Sequence, residues 1–288
     1  MKYIFTLLFM ISTLSSFAVD IHETSIGNGK TAFVEFTKEK NLKYEKILIG
    51  KKTYKVFGHP LDDEKMYALI PISYYEKPRE QKMSLLYEEN GLAKEKSFSL
   101  LIKDSKYKKE RLKVSSSKVN LSKEDTKRVQ KEYHEAMKIY NTSNKDIYVS
   151  SKFIAPLESK ITSEFGKARV YNDTLKGYHS GTDFRAKTGE PIKASNEGIV
   201  VLAKERFYSG GSIILDHGHG IYTCYFHMSK FDVKEGQKVK KAQIIGLSGE
   251  SGRVTGPHLH FSARVAGVQV DPLQLISVMN KNLLKGVQ

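Results

Sequence analysis

Short stretches in which apolar side chains alternate with polar ones, or follow one another for a few residues, recur along the chain, and helical spacing is rare. Between residues 20 and 115 such runs occupy 32–36, 53–57, 66–70, 83–87 and 98–102. Runs of this length, with β-branched and aromatic residues between turn formers, predict strands. Asn90-Gly91 falls between the last two runs and is the signature of a two-residue hairpin. The strand spacing predicts a small N-terminal β-sandwich or barrel, and periodicity does not choose between them.

One segment has the helical period. Ser122 with Asp125 three positions on is a capping signature, and Val129, Tyr133, Met137 and Tyr140 recur on one face. The pattern predicts a connector helix that ends near Asn141 and lays this face on a neighbouring domain. The polar run 141–146 then marks a boundary. Beyond residue 153 strands are predicted at 192–202, 212–216, 221–227, 243–247 and 258–265, with no long helix before Leu273. Gly236 and Gly246 punctuate 233–246 as strand, turn, strand, as in lipoyl-type carrier domains. A carrier needs a modified lysine at a hairpin tip, a cytoplasmic chemistry that export excludes. The expected organisation is mainly β: signal peptide 1–18, N-terminal β domain 19–118, connector helix and linker 119–147, antiparallel β domain 148–276 and C-terminal tail 277–288.

Composition adds compartment and charge. The 288 residues, 40% of them hydrophobic, suit an ordinary globular protein of two domains. Lys2, the mostly apolar stretch 3–14 and Ser16-Phe17-Ala18 read as an export signal cleaved after Ala18. The apolar stretch is shorter than the ~20 residues of a membrane span, so the mature chain is expected to have no transmembrane segment. The sole cysteine, Cys224, forms no intrachain disulfide, offers no lipid anchor, and reads as a buried structural thiol. A net charge of +15 suits nucleic acid in a cytoplasmic protein; export removes that partner and leaves anionic envelope polymers and membrane surfaces, or, since the lysines are scattered, simply a soluble surface.

Candidate chemistry is confined to the C-terminal third. His179 and Asp183 are four apart, a spacing that shares a face on a helix or on an extended segment, although Ser180-Gly181-Thr182 is poor helix material. His258 and His260 share one side of a strand, which Gly256-Pro257 introduces, and His227 closes an aromatic strand. A hydrolytic zinc takes three nitrogen or oxygen ligands and keeps a fourth position open, and this set supplies them with histidines to spare. His217 and His219, in a glycine-punctuated turn, are expected to be structural or solvent-facing, with Asp216 as a partner that orients an imidazole. His22, His59 and His134 stand alone and carry no site.

Residues 150–275 resemble the lysostaphin/LytM family of zinc peptidases that cut peptidoglycan cross-bridges. The matching text is Thr162-Ser-Glu-Phe-Gly166, His179-Ser-Gly-Thr-Asp183, Ala194-Ser-Asn-Glu-Gly198, Ile214-Leu-Asp-His-Gly218, Tyr222-Thr-Cys-Tyr-Phe-His227, 233–246 and Thr255-Gly-Pro-His-Leu-His260. The resemblance implies a LytM-type antiparallel β domain with a zinc groove. It also implies one Zn2+ per chain on His179, Asp183 and His260, with His227 and His258 as unligated catalytic imidazoles. His258 is expected as general base and later proton donor, and His227 as the group that hydrogen-bonds the oxyanion or water, the two roles being exchangeable. No glutamate stands beside the ligands, so imidazoles must move the proton. Tyr208 and Arg253 are expected on the groove walls, and Ala168 followed by Arg169 departs from a basic residue that relatives often carry one position earlier. The segment 110–114 and the helix after it resemble the β module that precedes this domain in exported Gram-negative members. The implied function is an exported, periplasmic zinc metalloendopeptidase acting on peptidoglycan. The alternative is a non-catalytic or latent module that regulates another cell-wall hydrolase, and a structural envelope protein is a third reading; in any of them the N-terminal domain is a candidate dock for an envelope protein partner.

Overall fold

The computed structural model describes residues 19–21, 24–112, 121–171, 173 and 175–287. The expected signal peptide and His22 lie outside the described residues. The first nine strands are β1 (Val19–Ile21), β2 (Ser25–Gly27), β3 (Thr31–Thr37), β4 (Leu42–Ile49), β5 (Lys52–Lys55), β6 (Phe57–His59), β7 (Asp62–Pro71), β8 (Arg79–Glu89) and β9 (Leu92–Lys103). They make a four-stranded sheet, β1-β3-β7-β6, and a five-stranded sheet, β2-β9-β8-β4-β5. Val34, Phe36, Ala68 and Ile70 of the first pack on Ile47, Met83, Leu85, Leu100 and Ile102 of the second. The N-terminal module is therefore a sandwich, since its two sheets meet through side chains and are not joined by a ladder. The run 53–57 is not one strand: it breaks at Val56, and its two pieces join different sheets. Asn90 and Gly91 turn the β8–β9 hairpin with φ of 52° and 79°, both left-handed as a two-residue turn requires.

The four-stranded sheet is covered on both faces. Phe33, Tyr67 and Leu69 point away from the sandwich core and pack on Val149, Ile221, Val265, Leu275, Met279 and Leu283 of the C-terminal half. Double burial explains why 32–36 and 66–70 are nearly continuous apolar runs, whereas β9, on the outer sheet, alternates. Polar groups key the same junction. The Tyr67 hydroxyl donates to Nδ1 of His219 at 2.6 Å, and the Phe57 ring stacks on that imidazole at 3.8 Å between centroids. The Gln274 side chain accepts from Thr31 N and donates to Thr31 O, each at 2.9 Å.

Next come β10 (Lys109–Leu112), α1 (Lys123–Tyr140), β11 (Ile161–Ser163), β12 (Ala168–Tyr171), β13 (Leu175–Tyr178), β14 (Thr182–Arg185), β15 (Pro191–Lys193) and β16 (Gly198–Arg206). The chain continues through β17 (Gly210–Asp216), β18 (Ile221–Phe231), β19 (Lys238–Val239), β20 (Ile244–Ser248), β21 (His258–Val265), β22 (Val268–Val270) and α2 (Pro272–Val278). The main sheet runs β11-β14-β21-β18-β17-β16-β19, and β10 adds in parallel to β12 in a small sheet with β13. The predicted strand 192–202 is two strands: β15 pairs with β20, and β16 with β17 and β19. The break is a buried polar turn in which Ser195 N donates to the Tyr225 hydroxyl and Asn196 Nδ2 to Ser151 O. After α2 the chain makes one π-helical turn, Met279–Leu283, whose Met279 and Leu283 are fully buried.

Helix α1 starts as its capping signature predicts, with Ser122 Oγ accepting from Asp125 N at 3.0 Å. Its buried contacts are Ala136 and Tyr140, which lie on Leu202, Ile214, Tyr222 and Cys224 of the main sheet. Tyr133 is 58% exposed and does not belong to the packed face. The buried arc is centred on Ala136, whose small side chain lets the helix approach the sheet. Cys224 is buried as expected, 3.3 Å from the Tyr140 hydroxyl. Among the described residues no helix is long and apolar enough to cross a membrane.

Removing the Tyr67 hydroxyl leaves His219 Nδ1 buried without its donor. We expect Tyr67→Phe to lower stability by about 1–3 kcal/mol in urea unfolding, with no change in fold by circular dichroism.

Candidate metal centre

Strands β14, β21 and β18 lie side by side and antiparallel, with Asp183 opposite His260 and Phe226 opposite the same histidine. Strand alternation then sorts the side chains. Phe184, Leu259, Phe261 and Tyr225 enter the core beneath the sheet. Asp183, Arg185, His258, His260 and Phe226 line a groove of ≈ 440 Å³ above it. The His-x-His spacing thus works as a strand spacing predicts.

His227 reaches the groove by a different device. Simple alternation from Tyr225 would turn it into the core. Instead Phe226 and His227 together oppose the single residue Ser212, and the register shifts there. His227 has φ of 65°, and its N–H donates to Ser209 O at 2.8 Å, outside the ladder. This one-residue bulge aims two consecutive side chains into the groove and returns Met228 to the core.

His179 precedes β14 in a loop, so the extended reading of His179–Asp183 holds and the helical one does not. Its backbone is clamped from both sides, His179 N donating to Lys167 O and Gly166 N to His179 O. Gly181 is required by close approach: a Cβ there would lie 2.3 Å from Phe261 O and 2.6 Å from His260 Nε2.

The three candidate ligand atoms converge. His179 Nε2 is 2.9 Å from Asp183 Oδ1 and 3.0 Å from His260 Nδ1, and the last two are 2.8 Å apart. Among the described residues this is the only group of three or more such side chains placed to hold a metal. The donor set fits a zinc-sized ion. Three ligands at 2.0–2.1 Å from a tetrahedral ion are about 3.3 Å from one another, so the triad need open by only a few tenths of an ångström. Its chemistry also calls for a cation. His179 Nδ1–H donates to Glu164 O at 2.8 Å, which leaves Nε2 as a lone pair beside a carboxylate oxygen and a second imidazole nitrogen.

The two remaining imidazoles are held in the same way. His258 Nδ1–H donates to Gly256 O and His227 Nδ1–H to Ser251 O, both at 2.8 Å, so each keeps Nε2 as an acceptor. Their rings are 4.8 Å apart, and His258 Nε2 is 3.6 Å from Asp183 Oδ1. Burial, then the neighbouring His260 and His258, lower the His227 pKa to about 3. Burial lowers His260 to about 4 against the pull of Asp183. Burial alone would raise the Asp183 pKa, but hydrogen bonds from His179 and His260 hold it well below the usual carboxylate range. At neutral pH His227 and His260 are neutral and Asp183 is ionised.

The groove walls carry Tyr208 and Arg253 as expected, with the Arg253 guanidinium 4.3 Å above the Tyr208 ring. Glu110 and Arg169 also line the groove, and sequence reasoning gave neither a role. Their meeting depends on the parallel β10–β12 pair, which no periodicity announces.

His217 and His219 are structural, and the solvent-facing option is excluded by exposures of 0% and 7%. Among the described residues Asp216 bonds no imidazole. Its carboxylate accepts from Gly218 N and Asn144 Nδ2, closing the turn in which it sits. His217 instead ends a buried chain: Nδ1–H donates to Glu197 O, while Nε2 accepts from Thr223, which faces the Tyr225 hydroxyl. His59, the lone histidine on β6, lies 3.9 Å from the Glu35 carboxylate, away from the groove.

A groove floored by a His-Asp-His group on an antiparallel sheet is a candidate metal centre, and the comparisons with known proteins fall on the same residues. Residues 177–272 match Peptidase family M23. Among its relatives, the peptidoglycan DD-endopeptidase ShyA of Vibrio cholerae is 43% identical over 122 residues, 41% of this chain and 28% of ShyA. The DD-carboxypeptidase/endopeptidase Mpg of Neisseria meningitidis is 37% identical over 97 residues, 34% of this chain and 22% of Mpg. The matches thus span less than a third of either relative. A solved Pseudomonas aeruginosa structure assigned to peptidase M23 covers 86% of this chain and 94% of its own, at a TM-score of 0.67 and 27% identity. The likeness therefore includes the N-terminal sandwich.

Two outcomes follow from the geometry. Gly181→Ala pushes His260 out of the triad, and isothermal titration should show zinc binding weakened by at least tenfold. Burial lowers the His217 pKa to about 4, below the ~6.5 of an unfolded histidine. The stabilisation from keeping it neutral is complete above pH ~6.5 and is lost as pH falls toward about 4, on the order of 3 kcal/mol in all. Urea unfolding from pH 7 to 4 should show this loss, with a shallower slope for His217→Asn.

Proposed function

We propose that this chain is an exported zinc metalloendopeptidase that hydrolyses peptide cross-links or stem peptides of peptidoglycan. The observation that carries the reading is the convergence of His179 Nε2, Asp183 Oδ1 and His260 Nδ1 within 3.0 Å, with two unligated imidazoles beside them. In this reading His179, Asp183 and His260 hold one Zn2+, which supplies Lewis-acid activation of water and of the scissile carbonyl. His258 accepts the proton of the attacking water on Nε2 and passes it to the leaving amine. His227, whose Nε2 is also an acceptor, orients that water. The locked Nδ1–H groups support both roles, because each imidazole is held in the tautomer that a base requires.

Substrate class rests on the relatives, whose names include peptidoglycan DD-endopeptidase and DD-carboxypeptidase/endopeptidase. Arg185 and Arg253 in the groove suit the carboxylates of stem peptides, and the net charge of +15 suits an anionic envelope. Residues 1–18 read as the export signal, and a peptidoglycan substrate agrees with a periplasmic location. We assign 148–276 as the peptidase domain and 19–118 as the N-terminal module.

Purified sacculi digested with the protein should lose cross-linked dimer muropeptides in chromatography, and chelator should abolish the loss. His258→Ala should reduce the rate by about 10²–10⁴-fold while zinc content is retained. Pentapeptide shortening with intact dimers would point to a carboxypeptidase instead, and no product despite bound zinc would refute the enzyme reading.

A further inference from the structure

We propose that Glu110 and Arg169 form a positioning pair for the metal centre, by which a strand from the N-terminal side sets the geometry of two of its three ligands. The inference rests on the metal-site reading above and goes beyond it. β10 pairs in parallel with β12, placing Glu110 beside Arg169. Arg169 Nε donates to Glu110 Oε2 at 3.0 Å, and Arg169 Nη2 reaches Ser163 Oγ at 3.2 Å and Asp183 Oδ2 at 3.5 Å. Ser163 Oγ in turn lies 3.2 Å from His179 Nδ1. One guanidinium therefore touches the oxygen of Asp183 that stays outside the triad and, through Ser163, the outer nitrogen of His179.

The arrangement has a defined task. A carboxylate can give a metal one oxygen or both, and a donor on Oδ2 keeps Asp183 to Oδ1, which preserves the open position that hydrolysis needs. The Arg169 side chain is only 14% exposed and its fork is engaged on three sides, so it acts on the ligands rather than on substrate. Glu110 supplies a compensating negative charge and fixes the guanidinium plane.

Two effects oppose each other here, and their signs separate them. A cation beside a dication is repulsive, so if charge alone mattered, removing Arg169 would tighten zinc binding. If positioning wins, removal weakens it. The test uses the full chain, with zinc affinity from competition with a chromophoric chelator and melting temperature measured on the metal-free protein. Arg169→Lys, Arg169→Met and Glu110→Gln should each weaken zinc binding by about tenfold or more, the usual effect of losing a partner that orients a ligand. Metal-free melting temperatures should stay unchanged, and Glu110→Gln combined with Arg169→Lys should be no worse than Arg169→Lys alone. Tighter or unchanged binding in Arg169→Met, wild-type affinity in Arg169→Lys, or a melting temperature that falls in step with affinity would each overturn the pair's role. Failure of the wild-type chain to bind zinc would instead overturn the metal-site reading and this inference with it.

Discussion

The register between β14 and β21 sets Asp183 across from His260, and every other feature of the groove is arranged around that contact. A slip of one residue on either strand would send its polar members into the core and bring Phe184 or Phe261 to the surface. The core beneath resists such a slip, because Phe184, Leu259, Phe261 and Tyr225 are buried together there. Packing on one face of the sheet thus stabilises a polar constellation on the other that is costly by itself. The bulge at His227 is a local departure from that regularity, and it is why one strand delivers Phe226 and His227 to the same side.

A second constraint acts on the imidazoles. His179, His227 and His258 each donate Nδ1–H to a backbone carbonyl at 2.8 Å, belonging to Glu164, Ser251 and Gly256 respectively. These backbone acceptors fix ring orientation and tautomer before any ligand arrives. Burial then keeps His227 neutral well below physiological pH, which agrees with an acceptor role.

The N-terminal sandwich belongs to the same construction. Its inner sheet is buried on both sides, once against its partner sheet and once against the C-terminal half, so the two parts share a continuous apolar joint. The segment that follows adds β10 beside β12 and brings Glu110 to the groove rim. The groove is in this way lined from both sides of α1.

Much of this was legible in the residues themselves. The strands 212–216, 221–227 and 258–265, the Asn90-Gly91 turn and the Ser122 cap are local signals, and local sterics and hydrogen bonding decide them. The spacings His179–Asp183 and His258–His260 stated which side chains share a face, because each pair obeys a short-range rule, whereas the choice of His260 over His258 as a ligand came from the family resemblance. What the sequence could not decide depends on neighbours distant along the chain. Tyr133 matches the helical period yet faces solvent, because the sheet beneath α1 accepts only the arc around Ala136. Asp216 stands next to histidines but closes its own turn. The choice of sandwich over barrel, the break at Val56 and the meeting of Glu110 with Arg169 all follow from which edges pair and which faces stack. Those are properties of the assembled chain, since alternation along one strand states which side chains share a face but never which strand lies beside it.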